Sequence, residues 1–155
     1  MRIRMFEQED AAELERVIAE TLRISNSRDY SKEYIEANIV SHSADVLIER
    51  AKQGHMYAAC DGSRIVGCGA VAGYLGSQTE SILLTIFVLP EYQGRGIGRQ
   101  IIETLERDEF FLRAKQIEVP ASITAVEFYR KMGYEYKDGA AKPDEEQVYR
   151  PETVR

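Results

Sequence analysis

The sequence predicts an α/β protein with a mixed β-sheet and helices on both faces of that sheet. Three observations support this class: one strand pattern precedes three helix patterns, three strand patterns follow, and strands and helices then alternate. Within residues 80–88 the middle is nearly all apolar, which is typical of a central strand covered on both faces. The 155 residues are expected to form a single domain over 1–155.

The N-terminal part predicts one strand and three helices. Residues 2–6 alternate polar and apolar side chains, as a half-buried strand does. Residues 10–24 place apolar side chains at helical spacing, and Asp10 is expected to cap that helix. Ser31 and Ser43 are expected to cap two further short helices.

The middle of the chain predicts a hairpin, the central strand and a long helix. Residues 56–60 and 65–72 are strands joined by a glycine-containing turn at 61–64. After the central strand at 80–88, the apolar spacing predicts one helix over 97–112 that begins on a glycine-rich turn.

The C-terminal part predicts a strand, a short helix and two closing strands. Residues 116–119 are apolar enough for a strand, and residues 125–131 predict a helix that ends at Gly133. Residues 134–137 and 147–150 are expected to pair as closing strands around the polar loop 138–146.

Composition excludes several classes of partner. A net charge of −6 without any basic block argues against nucleic acid and is compatible with a cationic substrate such as an amine. Cys60 and Cys68 lie in apolar strand patterns, which favours reduced, buried thiols and a cytoplasmic location. Early charges argue against a signal peptide, and apolar runs are too short for a membrane span. Tyr136 and Tyr149 make dimerisation plausible, so both a monomer and a homodimer are expected.

The turn at residues 93–98 predicts a phosphate-binding site. Glycine lets backbone N–H groups approach a diphosphate closely, and the start of a helix adds partial positive charge. A Walker loop is excluded because neither its spacing nor its lysine is present. The dinucleotide fingerprint would need glycine at position 99, where the chain has Arg99.

The remaining pattern is Gln-x-x-Gly-x-Gly, formed by Gln93, Gly96 and Gly98. It resembles the acetyl-CoA pyrophosphate loop of the GNAT superfamily of N-acetyltransferases. Residues 125–134, with a Phe-Tyr pair and a closing Gly-Tyr, are similar to a second signature of that family. The resemblance is specific over residues 80–134.

This resemblance implies a mostly antiparallel sheet of six to seven strands that splay apart at the coenzyme site. It also implies an acetyl-CoA-dependent N-acetyltransferase in which a primary amine attacks the thioester directly. The amine would belong to a small molecule, a protein N-terminus or a lysine.

The same resemblance implies which residues contact the coenzyme. The backbone of the central strand would run beside the pantetheine arm, with the amide of Val88 polarising the thioester carbonyl, and the loop would hold the pyrophosphate. The implied contacts are Ile86, Phe87, Val88, Gln93, Gly94, Arg95, Gly96, Ile97, Gly98, Arg99, Ser122 and Tyr129. Ser122 stands where many family members carry asparagine, and a helix-capping role is its alternative.

Three residues are the predicted catalytic groups. Tyr129 carries over from the family as the general acid, because a phenol with a pKa near 10 can protonate a departing thiolate at neutral pH. Glu118 is the first choice for a general base, and Glu80 is the second. No metal is predicted, because His42 and His55 lack further ligands at metal-binding spacing.

Two other functions remain open from the sequence. One is a non-catalytic acyl-CoA-binding or regulatory module on the same fold, and the other is a nucleotide-binding domain that uses the glycine loop for ATP or NAD. For the acceptor amine, position along the chain suggests an aromatic and acidic set made of Asp29, Tyr30, Glu33, Tyr34 and Tyr74.

Overall fold

The computed structural model describes residues 1–122, 125–136, 148–149 and 151–154. Strand β1 (Arg2–Met5) precedes helices α1 (Ala11–Ser25), α2 (Lys32–Val40) and α3 (Ala44–Ala51). Strands β2 (Gly54–Asp61), β3 (Arg64–Gly73) and β4 (Glu80–Val88) follow, and then helices α4 (Ile97–Glu106) and α5 (Glu109–Leu112). The last elements are β5 (Gln116–Glu118), β6 (Ala121–Ser122), α6 (Val126–Lys131), β7 (Glu135–Tyr136), β8 (Val148–Tyr149) and β9 (Pro151–Val154).

Seven of these strands form one sheet in the order β1-β2-β3-β4-β5-β9-β7, and β6 pairs with β8 separately. Within the described residues β4 and β5 run parallel, and the other neighbours run antiparallel. The predicted mixed, mostly antiparallel sheet of six to seven strands is therefore confirmed. The central position of β4 also agrees with its apolar sequence.

Contacts around strand β3 show that helices pack on both faces of the sheet. A Cβ atom at Gly69 would lie 2.5 Å from Ile101 Cγ2 of α4, so α4 packs directly against the strand backbone. Since side chains alternate along a strand, Cys68 points to the opposite face. On that face the Cys68 thiol donates to the carbonyl of Thr85, and α3 reaches the same residue through the hydrogen bond from Arg50 to the Thr85 hydroxyl.

The expected helix over 97–112 is two helices. The chain breaks at Asp108, whose carboxylate accepts a hydrogen bond from the backbone N–H of Phe110 at 2.9 Å and caps α5. The same carboxylate accepts the hydroxyl of Tyr57 at 2.6 Å and contacts His55 Nδ1 at 2.7 Å. The helical spacing did extend to Leu112, but that side chain is exposed. The break is stabilised by His55 and Tyr57 of β2, and the helical spacing of apolar residues carries no information about these distant partners.

Two other local predictions were wrong. The expected pairing of 134–137 with 147–150 is not seen in the described residues of these ranges: β7 pairs with β9, and β8 pairs with β6. Alternation identifies a strand but not its partner, and the expected loop 138–146 lies outside the described residues. Asp10 does not cap α1, because its carboxylate accepts from the backbone of Glu7 and from Arg4. The caps at Ser31 and Ser43 are confirmed.

Candidate active site

A fork between β4 and β5 opens the centre of the sheet. The two strands pair from Glu80 with Gln116 to Ile82 with Glu118, and β5 ends there. The rest of β4, up to Val88, has no described neighbour on that side. Strand β4 therefore presents an open backbone edge over its second half, as the predicted splay requires.

A β-bulge lies within this open half of β4. Cys68 pairs with Phe87 and Ala70 with Leu84, so Thr85 and Ile86 together oppose Gly69. Thr85 has φ 57°, which is unusual for a β-branched residue. The carbonyl of Thr85 accepts the Cys68 thiol at 3.0 Å, and its hydroxyl accepts Nη1 of Arg50 at 2.9 Å. These two hydrogen bonds, one from β3 and one from α3, hold Thr85 in its strained conformation.

The bulge leaves the amide of Val88 facing the fork. The N–H of Leu89 donates to Val66 of β3 at 2.9 Å. Because antiparallel strands alternate between residues bonded to the partner and residues turned away, Val88 directs its N–H to the open side. The fold therefore supplies a backbone donor at the fork, at the position expected to polarise a thioester carbonyl.

The glycine loop provides a group of further donors next to β4. Gly94 has φ 79° and Gly96 has φ 82°, conformations that favour glycine. Helix α4 begins on Gly96 without a side-chain cap, and α1 and α6 also lack one at their own starts. Within the part of the chain that the structure describes, the N–H groups of residues 94–99 donate to no acceptor. Six backbone donors at a helix start form a site suited to a phosphate group.

The side chains of the loop act mainly on the loop itself. Gln93 Nε2 donates to the carbonyl of Val88 and to the hydroxyl of Ser25, each at 2.9 Å, and so joins the loop to β4 and α1. Its backbone N–H donates to the carbonyl of Pro90. These contacts show that Gln93 positions the loop relative to β4 and α1. The guanidinium of Arg95 stacks over the Tyr92 ring at 4.8 Å. Arg99 is exposed on the first turn of α4, where a bound anion can reach it.

Tyr129 lies on α6, directly after Phe128. Its side chain is buried, with 4 % of the residue exposed, and burial raises its pKa well above the usual range, with a smaller contribution from Cys68. Helix α6 is packed against the start of α4: a Cβ atom at Gly98 would lie 3.1 Å from Phe128 Cζ. The glycine at position 98 therefore allows Phe128, the residue before Tyr129, to pack against the start of α4.

The two candidate bases occupy different places. Glu118 is the last residue of β5, is 5 % exposed and lies at the point where β4 and β5 separate. Glu80 is exposed at the beginning of β4, eight residues before Val88, which corresponds to roughly 26 Å of extended strand. Glu118 pairs with Ile82, so it lies six residues, or roughly 20 Å of strand, from Val88, and Glu80 lies two residues further back. Ser122 lies in β6, paired with Val148, just beyond the fork.

The N-terminal helices reach β4 through contacts that the sequence did not reveal. The ring of His42, between α2 and α3, meets the Phe87 ring edge to face at 5.3 Å. His42 Nδ1 lies 2.8 Å from the carbonyl oxygen of Asn38, and a carbonyl only accepts, so Nδ1 carries a proton. Burial lowers the pKa of His42, with a smaller contribution from the charge of Arg50, which favours the neutral ring with an unprotonated Nε2. Sequence patterns could not find this group, since its partners are distant along the chain.

The expected acceptor-site set is divided by the fold. Tyr30 and Tyr34 stack with ring centroids 4.6 Å apart, and Tyr30 belongs to the core. Tyr74 follows β3 at the end of the sheet where Gly73 pairs with Ser81, away from Val88. The structure therefore brings together the two tyrosines of the α1–α2 region and separates Tyr74 from them.

Comparison with known families agrees with this geometry. The model of the acetyltransferase (GNAT) domain matches residues 52–136, more than half of the chain. The chain belongs to the GNAT acetyltransferase family, and the resemblance seen in residues 93–98 and 125–134 is confirmed. Comparison with curated protein sequences found no match.

Solved structures share the fold along nearly the whole chain. A GCN5-related N-acetyltransferase from Rhodopseudomonas palustris is 23% identical with a TM-score of 0.81, and the match covers 99% of this chain and 95% of that one. The PaiA N-acetyltransferase from Thermoplasma acidophilum, solved with coenzyme A, is 21% identical with a TM-score of 0.81 and full coverage of both chains. An aminoglycoside 6'-N-acetyltransferase complexed with coenzyme A is 17% identical with a TM-score of 0.68, covering 100% of this chain and 96% of that one. At these identities the likeness establishes the fold.

Two further observations concern the described residues alone. Their histidine, cysteine and acidic side chains form no group of three that could hold a metal ion. None of their helices is both long enough and apolar enough to span a lipid bilayer.

Proposed function

We propose that this protein transfers an acetyl group from acetyl-CoA to a primary amine of a small molecule, a protein N-terminus or a lysine. The uncapped start of α4 is the observation that carries the proposal. Its donors at residues 94–99 stand beside the open edge of β4, so a diphosphate on the loop would direct the attached chain along Ile86–Val88. Membership of an acetyltransferase family supports acetyl as the transferred group.

Val88 and Tyr129 would then act on different atoms of the thioester. Val88 N–H would donate to the thioester carbonyl oxygen and stabilise the negative charge that develops there. As the amine nitrogen bonds to the carbonyl carbon and the C–S bond breaks, Tyr129 would give its proton to the departing sulfur. The raised pKa keeps the Tyr129 hydroxyl protonated at neutral pH, so it is available as a donor.

The proton released by the attacking amine needs an acceptor. Glu118 is the proposed base because it ends β5 where the two strands separate, and Glu80 is second because it is exposed and lies two residues further from Val88 along β4. An amine that arrives neutral would pass this proton to water and would need neither carboxylate.

Coenzyme binding is tested first. Isothermal titration of the protein with acetyl-CoA, CoA, ATP and NAD is expected to show binding of the two coenzyme A species alone. Gly96→Ala changes the left-handed start of α4 and is expected to weaken acetyl-CoA binding at least tenfold, whereas Gly62→Ala, at φ 61° in a hairpin turn, is the matched control for strain. Selective binding of ATP or NAD would contradict the proposal.

Turnover is tested separately with an amine panel and a thiol assay for released CoA. Tyr129→Phe is expected to lower kcat by about 10² to 10⁴, as the loss of a general acid does, and to leave acetyl-CoA affinity unchanged. Coenzyme binding without turnover of any amine would favour a non-catalytic acyl-CoA-binding module instead.

A further inference from the structure

Arg50 is half-buried, whereas Arg95 and Arg113, which also contact neutral groups and no described carboxylate, are exposed. Arg50 Nη1 donates to the neutral hydroxyl of Thr85, and no described carboxylate lies within ion-pair distance of its guanidinium. Burial lowers its pKa, which shows that the charged side chain has lost much of its hydration. The described arginines that form ion pairs do so with nearby acids: Arg4–Asp10, Arg23–Glu36, Arg64–Glu91 and Arg130–Glu127.

The groups around Arg50 do not compensate its charge. Burial raises the pKa of the Cys68 thiol to about 12, so the thiol stays neutral. His42 is also held neutral, because burial and the charge of Arg50 both lower its pKa. In the cluster of Arg50, His42, Cys68 and Thr85, the guanidinium therefore carries the formal charge. A half-buried cation without a nearby anion destabilises the protein, and the binding of an anion would offset that destabilisation.

The guanidinium also has capacity for a ligand. Its Nη1 is engaged with Thr85, whereas Nε and Nη2 have no acceptor among the described residues. Because every buried side-chain nitrogen or oxygen in that part of the chain has a partner, these two atoms open to solvent. A guanidinium edge with two N–H groups fits a carboxylate through two parallel hydrogen bonds.

Arg50 is placed where an acceptor amine would have to approach. It contacts Thr85 at the bulge, directly before the segment Ile86–Val88 that would lie along the coenzyme. Thr85 and Val88 are three residues apart, roughly 10 Å along the strand. His42, between α2 and α3, contacts Phe87 two residues further along β4, so both contacts from the N-terminal helices lie on the segment before Val88.

We propose that Arg50 binds a carboxylate of the acceptor, so that the acetylated amine belongs to a molecule that also carries a carboxylate, such as an amino acid or a short peptide. This inference rests on the proposed acetyl transfer. The protein has a net charge of −6, so a negatively charged acceptor needs a local cation at the site, and Arg50 supplies it.

A binding experiment tests this before the natural acceptor is known. The probes are N-acetyl amino acids, as product analogues, and the corresponding N-acetyl amides, each added at millimolar concentration to the CoA complex. Thermal unfolding of the wild type is expected to shift upward more with at least one acid than with its amide. The difference is expected to disappear in Arg50→Gln and to persist in Arg23→Gln, which removes the same charge from an exposed ion pair.

A kinetic experiment uses free amino acids and their amides as acceptors. The ratio of kcat/KM for acid over amide is expected to fall at least tenfold from the wild type to Arg50→Gln, and comparing these ratios cancels the different basicities of the two amines. Arg50→Lys is expected to retain part of the preference, because it keeps the charge but loses the planar pair of donors. Thr85→Val is expected to retain the preference, since it removes only the hydroxyl.

Either of two results would overturn the carboxylate site. One is a wild-type protein that no N-acetyl amino acid stabilises more than its amide, a measurement that requires no variant to fold. The other is an acid preference that survives Arg50→Gln unchanged. Failure of acetyl transfer itself is distinguished from both, because it would appear as absent acetyl-CoA binding or absent CoA release with every amine.

Discussion

Arg50 Nη1 donates to the hydroxyl of Thr85 at 2.9 Å, and this bond joins α3 to the bulge of β4. Thr85 holds a left-handed backbone conformation, with φ 57°, that its branched side chain disfavours. The bulge lies between Ile82, the last residue of β4 paired with β5, and Val88, whose amide faces the fork. One contact therefore connects the N-terminal helices, the backbone strain and the proposed thioester site.

Thr85→Gly is expected to be more stable than Thr85→Ala by about 1 kcal/mol, because glycine alone adopts this φ without steric cost. Both variants lose the hydroxyl equally, so their difference reports the backbone. Urea unfolding measures it. At Ile82, in the regular part of the same strand, alanine is expected to be the more stable of the two. The same order at both positions would mean that the Thr85 backbone is not strained.

Gly98→Ala is expected to lower kcat by displacing α6, because the added methyl group would lie 3.1 Å from Phe128 Cζ. The double variant Gly98→Ala/Phe128→Leu removes part of that ring and is expected to regain most of the activity. Steady-state kinetics of the single and double variants measure this coupling. If Phe128→Leu restores nothing, the methyl group acts on the coenzyme rather than on Tyr129.

Gln93→Ala is expected to cost about 1 to 2 kcal/mol of stability and to weaken acetyl-CoA binding, since Val88 and Ser25 both lose a donor. Gln93→Glu is nearly the same size but cannot donate to the Val88 carbonyl, so it is expected to be at least as harmful. Ser25→Ala removes one of the two bonds and is expected to have a smaller effect. Urea unfolding and titration calorimetry give the two quantities, and a harmless Gln93→Glu would rule out the bond to Val88 as the cause.

The lowered pKa of the half-buried His42 predicts a pH dependence of stability. Because the pKa is lower in the folded protein than in the unfolded chain, the unfolded state binds more protons as the pH falls below about 6.5. The free energy of unfolding of the wild type is therefore expected to decrease between pH 7 and pH 5 more steeply than that of His42→Gln. Carboxylates titrate equally in both proteins, so the difference between the two curves isolates the histidine. Parallel curves would show that His42 is not held neutral.

Asp108→Asn is expected to destabilise the fold by about 2 to 3 kcal/mol, because the buried carboxylate accepts three hydrogen bonds at the junction of α5 and β2. The pKa of Tyr57, raised to about 12 by burial and then by the bond to Asp108, is expected to fall in this variant. Urea unfolding gives the stability, and ultraviolet titration of the tyrosines gives the pKa. An unchanged Tyr57 titration would contradict the role assigned to the carboxylate.

Local patterns were sufficient for much of the fold. The alternation in β1, the serine caps of α2 and α3, the hairpin between β2 and β3 and the apolar run of β4 all depend on neighbours a few residues away. Strand pairing near the C-terminus was predicted incorrectly, because β7 and β9 meet through hydrogen bonds that no local pattern encodes. The break at Asp108 was missed for the same reason, since His55 and Tyr57 are more than fifty residues away.

The sequence by itself determined the glycine loop, the family and the position of Tyr129, because these lie in short motifs whose spacing fixes their backbone geometry. Only the tertiary structure decided which backbone amide faces the fork, that Glu118 ends β5 opposite Ile82, and that Arg50 and His42 contact β4. Those facts depend on strand register and on contacts between distant segments. Register emerges from the packing of whole elements, so a linear reading of residues cannot supply it.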